Sequence, residues 1–284
     1  MIRTSSPGRI CLFGEHQDYL QLPVITAAID LDITIQGRQK NDDVFSIDLP
    51  DINENLYLKI PVDSAELKYS LKRDYFRSVY NLLLRNGATF DRGWECQVNG
   101  NIPINSGTAS SSALSVAWTK FLIKINTSNN PKFKLKEFIG RIAYLAEVEE
   151  FGEPGGMMDH YASTYGELIH VAMTSDLKVT KLPVALTGFV IGDSRLKKRD
   201  TVGDLIELKK IIEAWYEQIR KKLPDFNPRT TPINHVYELS RSKPDKSIVM
   251  AEATLRNRDL TAIALELLSK KNPDESEIGK LLTD

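Results

Sequence analysis

The pattern of apolar and polar positions divides the chain into a strand-rich first half and a helix-rich second half. Short runs of β-branched and other apolar residues, several of them alternating with polar ones, predict strands, because side chains in a strand point to opposite faces in turn. The predicted strands are residues 9–13, 24–36, 44–60, 93–99, 167–173 and 187–194. A polar loop, GEHQDYLQLP, separates the first two.

Apolar residues that recur every three or four positions predict helices. One predicted helix ends at Gly87, and another begins at three serines and continues to residue 125. In a third, over 135–150, the apolar stripe comprises Leu135, Phe138, Ile139, Ile142, Leu145 and Ala146. After the Pro154–Gly156 turn we expect a short helix, then a long one over 203–222. Short helices separated by KPDK and NPDE turns are expected from 233 onward.

This order of elements favours an α+β fold in two lobes. We place the break near 175–185 and predict one domain over residues 1–178 and a second over 179–284. The chain has 37 basic and 38 acidic residues, so it lacks the global positive field of a nucleic-acid-binding protein. Small molecules or another protein are the expected partners, with no nucleic acid and no membrane, and we expect a monomer or a weak homodimer.

The remaining composition limits the chemistry further. Cys11 and Cys96 lie among apolar residues without paired spacing, which is typical of free buried thiols. The four histidines are scattered, so no transition-metal site is expected. The N-terminus lacks the apolar run of a signal peptide, and a cytoplasmic protein is expected.

Residues 103–113, PINSGTASSSA, combine a glycine with serines at a predicted helix start. The free N–H groups and the positive end of a helix dipole make such a start a natural seat for phosphate. A serine that simply caps the helix explains the same residues. The segment lacks the lysine of a Walker loop, so these residues alone leave both interpretations open.

Two other clusters carry candidate chemistry. Glu15, His16 and Asp18 lie within four residues of one another and could hold sugar hydroxyls, although a solvated turn has the same composition. Asp159 follows a glycine-rich bend and could orient an attacking hydroxyl or take its proton. It could equally be a carboxylate that stabilises a helix N-terminus. Arg9 could pair with a carboxylate or stabilise phosphate charge.

Taken together and in order, these motifs resemble the GHMP kinase superfamily, which includes galacto-, homoserine, mevalonate and phosphomevalonate kinases. PGRICLFGEHQDY looks like the N-terminal signature of galactokinases, PINSGTASSSA is similar to the second superfamily motif, and GGMMDHYAS resembles the segment with the active-site aspartate. The resemblance implies a two-domain α+β fold, with a ribosomal-protein-S5-like N-terminal domain and a ferredoxin-like C-terminal domain.

The resemblance also implies roles for individual residues. Asp159 would face the accepting hydroxyl, with Arg9 stabilising it. Ser111 would ligate Mg²⁺. The implied substrate-binding residues are Glu15, His16, Asp18 and Gly156. The implied ATP-binding residues are Gly107, Thr108, Ser110, Ser111 and Ser112. The implied reaction is transfer of the ATP γ-phosphoryl group to a hydroxyl of a galactose-like monosaccharide.

Three departures from the family pattern affect this prediction. Thr108 and Ala109 replace the usual residues after the motif glycine. A basic run stands where galactokinases carry a substrate-contacting tyrosine, which weakens galactose as the specific sugar; it comprises Lys197, Lys198 and Arg199, with Thr201. The run could face a more acidic substrate or product, and a solvated basic turn explains it equally well. Beyond Gly203 the only glycine is Gly279, so the third glycine-rich motif has no counterpart in this sequence. A divergent member of the family would explain this, but we expect a truncated chain or a missing tail, with an incomplete C-terminal domain.

Alternative functions remain open at this point. Another kinase of the superfamily, acting on a sugar acid, a heptose or mevalonate, would share most of these motifs. Asp18 and Tyr19 argue against mevalonate. A catalytically silent sugar and ATP sensor would need the binding residues but not Arg9, Ser111 and Asp159 together.

Overall fold

The computed structural model describes residues 1–59, 65–104, 106–173, 177–184, 186, 188–192, 201–240 and 246–283. Its described strands are β1 (Ile2–Phe13), β2 (Val24–Gln39), β3 (Val44–Leu49), β4 (Glu54–Lys59), β5 (Trp94–Gly100), β6 (Leu168–Ala172) and β7 (Lys178–Lys181). Its described helices are α1 (Tyr75–Arg85), α2 (Ser110–Ile125), α3 (Lys136–Glu147), α4 (Met158–Tyr165), α5 (Thr201–Lys222), α6 (Ile233–Ser240), α7 (Lys246–Leu268) and α8 (Glu275–Leu281). No described helix is long and apolar enough to cross a bilayer.

The chain forms two compact units that alternate along the sequence. The first comprises Met1–Ile10, Ala28–Glu153 and Asp159–Glu167, and the second comprises Cys11–Ala27, Pro154–Met158 and Leu168–Asp284. The chain thus crosses between units at several points, and none of them is the predicted 178/179 boundary. The division into two domains at 178/179 stays a prediction.

In the first unit, helices α1, α2 and α3 cover a mixed sheet. The second half of β2 pairs antiparallel with β5, from Ile33 opposite Gly100 to Gln39 opposite Trp94. β5 runs parallel to β3, and β3 pairs antiparallel with β4. Trp118 of α2 lies at the centre of the core, where its ring stacks on Phe121 at 5.4 Å and its Nε1 donates to the Phe76 carbonyl at 3.0 Å. Most of the apolar stripe predicted for residues 135–150 faces this core, where Ile142 and Ala146 are buried.

In the second unit, the first residues of β2 pair antiparallel with β6, and β6 pairs antiparallel with β7. A separate apolar core joins α5, α6 and α7 through Trp215, Val236 and Leu255. The buried Arg258 of α7 donates to the carbonyls of Pro228 and Thr231, which fixes the turn before α6. The predicted α+β class is confirmed, because the described residues combine helices with a mixed sheet.

Several predicted boundaries were wrong. β1 begins at Ile2 rather than residue 9, because polar residues occupy its inward positions. Buried Thr4 and Ser6 donate their hydroxyls to the carbonyls of Ala117 and Ser163, so the strand is buried without an apolar pattern. Leu135 precedes α3 and is exposed.

Three further predictions also needed correction. The segment 44–60 contains two strands, β3 and β4, around a short 3-10 turn. A strand was predicted over 187–194, but residues 188–192 are not a strand. Among the strands that the structure describes, the sheet ends at β7. The expected short helices after 233 include the 23-residue α7, a run without glycine or proline to end it.

Candidate functional site

Arg9 of β1 joins two of the segments singled out in the sequence. Its Nε donates to Asp159 Oδ1 at 2.7 Å, and its Nη1 donates to the Gly107 carbonyl at 2.6 Å. Its backbone N–H also donates to the Thr108 carbonyl at 3.1 Å. The guanidinium fork can make two such bonds in fixed directions, which a lysine cannot. The structure therefore brings the predicted acid, arginine and phosphate loop together within the first unit.

The loop before α2 depends on two residues with positive φ. Gly107 has φ 84°, a conformation that glycine adopts at little cost. Ala109 has φ 59° and occupies the N-cap position, without a side-chain cap hydrogen bond. A serine cap was the simpler interpretation of this segment, and it is wrong, because the serines follow the cap residue. A non-glycine residue in this region is uncommon and marks a constrained turn.

The start of α2 has the features that a phosphate seat requires. The first N–H groups of a helix have no partner within the helix, and here the cap residue Ala109 offers them no side-chain acceptor. Ser110 and Ser111 are half-buried at this end, whereas Ser112 is buried. Thr108 is buried and its hydroxyl shares a hydrogen bond with Ser106 at 2.6 Å, which stabilises the loop. A phosphate-bearing cofactor therefore fits the donors present.

Asp159 lies in the first turn of α4, and its side chain is 28% exposed. The carboxylate stabilises the helix dipole there, as the simpler interpretation of the sequence suggested. It is also held by Arg9, whose side chain is 9% exposed. Because Asp159 keeps access to solvent while Arg9 fixes one oxygen, the other oxygen can accept a proton from a bound hydroxyl.

Asp18 is buried in the second unit against the glycine-rich bend. Its Oδ2 accepts from the Met158 backbone N–H at 3.1 Å. A Cβ added at Gly156 would overlap the Asp18 carboxylate, so a larger residue fits there only if that carboxylate moves. The two predicted substrate-binding residues Asp18 and Gly156 are therefore in direct contact.

Glu15 and His16 lie in the same loop but are exposed. The Glu15 carboxylate and His16 Nδ1 are 3.9 Å apart, and His16 has φ 58°. Asn257 of α7 holds the loop backbone by accepting from Gly14 N–H and donating to the Glu15 carbonyl. Burial, followed by the carboxylates of Asp18 and Glu15, raises the pKa of Tyr19 to about 12. This loop thus presents two accessible polar side chains beside a buried carboxylate.

Sequence reasoning missed Asn257 and the buried pair of His160 and Glu147. Asn257 lies 242 residues from Glu15, and nothing in the local pattern connects them. His160 Nε2 lies 2.8 Å from Glu147 Oε2, with the side chains 2% and 10% exposed. Glu147 and His160 lie near Asp159 in the sequence, and this acid and imidazole could have been recognised as a candidate pair.

One predicted feature, the basic run after residue 196, lies outside the described residues. Lys197, Lys198, Arg199 and the side chain of Thr201 are outside the described part of the chain. Within that part, no three His, Cys, Asp or Glu side chains form a group that could hold a metal ion.

Two family models match the chain. The galactokinase galactose-binding signature matches residues 2–39, which include Arg9 and Asp18. The N-terminal domain of GHMP kinases matches residues 74–167, which include the serine loop and Asp159.

Known relatives agree with these models. A galactokinase of Haemophilus influenzae strain PittGG is 24% identical over 92% of this chain and 71% of that protein. A galactokinase of Streptococcus thermophilus is 29% identical over 70% of this chain, and the match spans only 51% of that protein. The chain thus spans about half the length of several of the relatives that it matches.

Two solved structures resemble the fold of this chain and confirm the predicted GHMP kinase type of fold. The Lactococcus lactis galactokinase complexed with galactose has a TM-score of 0.78 at 21% identity, covering 98% of this chain and 72% of that one. The Methanococcus jannaschii mevalonate kinase has a TM-score of 0.62 at 18% identity, covering 99% of this chain and 76% of that one.

Proposed function

We propose that this chain, which belongs to the GHMP kinase superfamily, is an ATP-dependent kinase that phosphorylates a hydroxyl of a galactose-like monosaccharide. The observation that carries the proposal is the bridge that Arg9 makes between Asp159 and the Gly107 carbonyl. It couples a candidate base to a candidate phosphate seat through one buried cation. The galactokinase relatives and the match to their galactose-binding signature support galactose as the model substrate.

Asp159 is the proposed group that receives or orients the proton of the attacking hydroxyl. Phosphoryl transfer demands little covalent chemistry from the protein, so positioning and charge stabilisation supply most of the rate. Arg9 keeps one Asp159 oxygen fixed and places a permanent positive charge beside the Gly107 carbonyl. That charge would stabilise negative charge that develops during transfer.

Gly107, Thr108, Ser110, Ser111 and Ser112 form the proposed ATP-binding loop. Superfamily members use ATP, and the uncapped start of α2 offers its N–H groups to the phosphates. When bound, ATP supplies the γ-phosphoryl group and Mg²⁺ offsets phosphate charge. The half-buried Ser111 hydroxyl is the proposed protein ligand of Mg²⁺.

The loop of Glu15, His16 and Asp18, with Gly156, is the proposed sugar-binding part. Buried Asp18, held by the Met158 N–H, would accept hydroxyl hydrogen bonds in fixed geometry. Exposed Glu15 and His16 would complete the contacts from the rim of the loop. We further propose that the protein acts in the cytoplasm as a monomer or weak homodimer, with a small-molecule sugar as its partner.

A coupled ADP-release assay tests the proposal. Full-length protein is assayed with ATP and Mg²⁺ against galactose, other monosaccharides, heptoses, sugar acids and mevalonate. Turnover that depends on galactose or a close analogue is expected. Turnover only on mevalonate, a heptose or a sugar acid would reassign the substrate within the superfamily. ATP binding without turnover on any substrate would contradict a kinase and favour a sensor.

A further inference from the structure

The buried pair of His160 and Glu147 closes the chain segment that leads to Asp159. Glu147 is the last residue of α3, and His160 lies in the first turn of α4, directly after Asp159. His160 Nε2 lies 2.8 Å from Glu147 Oε2. A carboxylate can only accept, so Nε2 carries the proton and donates it. The 13-residue separation is therefore bridged by one side-chain hydrogen bond.

The surroundings of this pair make the bond a strong constraint. Both side chains are almost fully buried, and in such surroundings a hydrogen bond to a charge is stronger than in water. The Tyr144 ring meets the imidazole edge to face at 5.6 Å, and Nδ1 has no hydrogen-bond partner among the described residues. Glu147 also helps, after burial, to raise the pKa of Tyr75, so its carboxylate lies near α1. The ring orientation thus depends on Glu147 and Tyr144.

The segment that follows Glu147 is held by separate contacts. The Phe151 ring packs against Tyr69 and Tyr75, at 5.4 and 6.2 Å between centroids. Glu150 accepts from Arg85 and from the Tyr69 hydroxyl. These contacts fix the turn after α3 but do not reach α4. His160 ties the first turn of α4 back to the end of α3 by a side-chain hydrogen bond.

Consecutive residues in a helix point about 100° apart, so the inward direction of His160 sets the direction of Asp159. The Asp159 carboxylate meets Arg9 only when this turn is correctly rotated. From this geometry we infer that His160 is a positioning residue, which acts through Glu147 to hold Asp159 in its productive orientation. The inference rests on the proposed kinase function and adds a residue to it. Because His160 is itself buried, the inference gives it no contact with either substrate.

Two amide variants of equal chemistry test the inference. In His160→Gln the amide N–H₂ reaches about as far as Nε2 and can donate to Glu147, whereas in His160→Asn it is one methylene too short. We expect kcat of His160→Gln to stay within about threefold of the parent, and kcat of His160→Asn to fall by about tenfold to a hundredfold. The KM values for sugar and ATP should stay within severalfold in both. His170→Asn, which alters a half-buried histidine on β6, is the control and should leave kcat unchanged.

Three outcomes would overturn the inference: unchanged kcat in His160→Asn, equal loss in both amide variants, or an equal loss in His170→Asn. A second measurement does not need activity. Amide hydrogen exchange in Met158–Tyr165 should accelerate in His160→Asn and not in His160→Gln, and equal exchange in the two would also overturn it. If the parent itself shows no sugar-dependent ADP release, the kinase proposal fails, and the exchange result still decides whether His160 holds this turn.

Discussion

Arg9 and Asp159, which are 150 residues apart, form an ion pair of 2.7 Å between Nε and Oδ1. The same guanidinium donates to the Gly107 carbonyl at 2.6 Å. One side chain therefore fixes both the candidate base and the loop before α2. Losing the Arg9 guanidinium would release both the Asp159 carboxylate and the loop before α2. We therefore expect substitutions at these positions to lower kcat more than they lower the stability of the fold.

Replacing Arg9 with lysine separates charge from geometry. Lysine keeps the positive charge but cannot make the two directed bonds at once. We expect kcat to fall about a hundredfold and the free energy of unfolding to fall by about 1–3 kcal/mol, because directed hydrogen bonds from a buried cation are lost. Steady-state kinetics and chemical denaturation measure the two effects. Arg38→Lys, in an exposed pair with Glu95, is the control. Parent kcat in Arg9→Lys would contradict the role given to the fork.

Gly107→Ala tests the phosphate loop against a matched glycine. Gly107 has φ 84° and Gly87, at the end of α1, has φ 85°. Alanine at either position costs about 1 kcal/mol of stability from backbone strain. Only Gly107→Ala should raise the KM for ATP severalfold, since only that loop lies before α2. An equal KM change in Gly87→Ala would show that general destabilisation is responsible.

Gly156→Ala tests the contact with Asp18. The added methyl group would displace the Asp18 carboxylate, so we expect the sugar KM to rise about tenfold, which is the loss of one good hydrogen bond. Asp18→Ala should have a similar effect, and the double variant should be no worse than Asp18→Ala, because both changes act on one carboxylate. Gly279→Ala, where a Cβ meets open space, is the control. Additive effects on KM would argue that Gly156 does not act through Asp18.

Tyr80→Phe tests whether the burial of the Tyr80 hydroxyl lowers the stability of the protein at alkaline pH. Burial raises the pKa of Tyr80 to about 12, whereas an unfolded tyrosine titrates near 10. Between these values the unfolded chain loses a proton that the folded chain keeps, so the free energy of unfolding falls as pH rises. Tyr80→Phe should make this fall shallower, with little cost at pH 7, because the buried hydroxyl has no hydrogen-bond partner among the described residues. Denaturation midpoints from pH 9 to 12 measure it, with exposed Tyr57→Phe as the control. If stability falls equally steeply with pH in Tyr80→Phe and in the parent, the raised pKa of Tyr80 is not a cause of that fall.

Local pattern predicted those parts of the fold that depend on apolar periodicity. The second half of β2 and the helices α1 and α2 bury the faces that their sequences mark. The first residues of β1 were missed because Thr4 and Ser6 satisfy their buried hydroxyls through distant carbonyls. Such partners become visible only when the chain is folded.

Much of the candidate site was also recognisable from motifs. Their order in the chain indicated Arg9, Asp18 and Asp159 before any geometry was known. The left-handed Ala109 cap could not be predicted, because alanine carries no preference for that conformation. Neither could the bonds from Asn257 to the Glu15 loop, since they depend on a contact between residues 242 apart.

The most direct test of the kinase account is galactose-dependent ADP release by the parent chain and by Asp159→Asn. The account predicts turnover by the parent and a loss of kcat of about a thousandfold in Asp159→Asn, as for removal of a general base, with galactose affinity within severalfold. Asp42→Asn, which alters a surface aspartate paired with Lys40, should behave as the parent does. Parent kcat in Asp159→Asn would contradict the account.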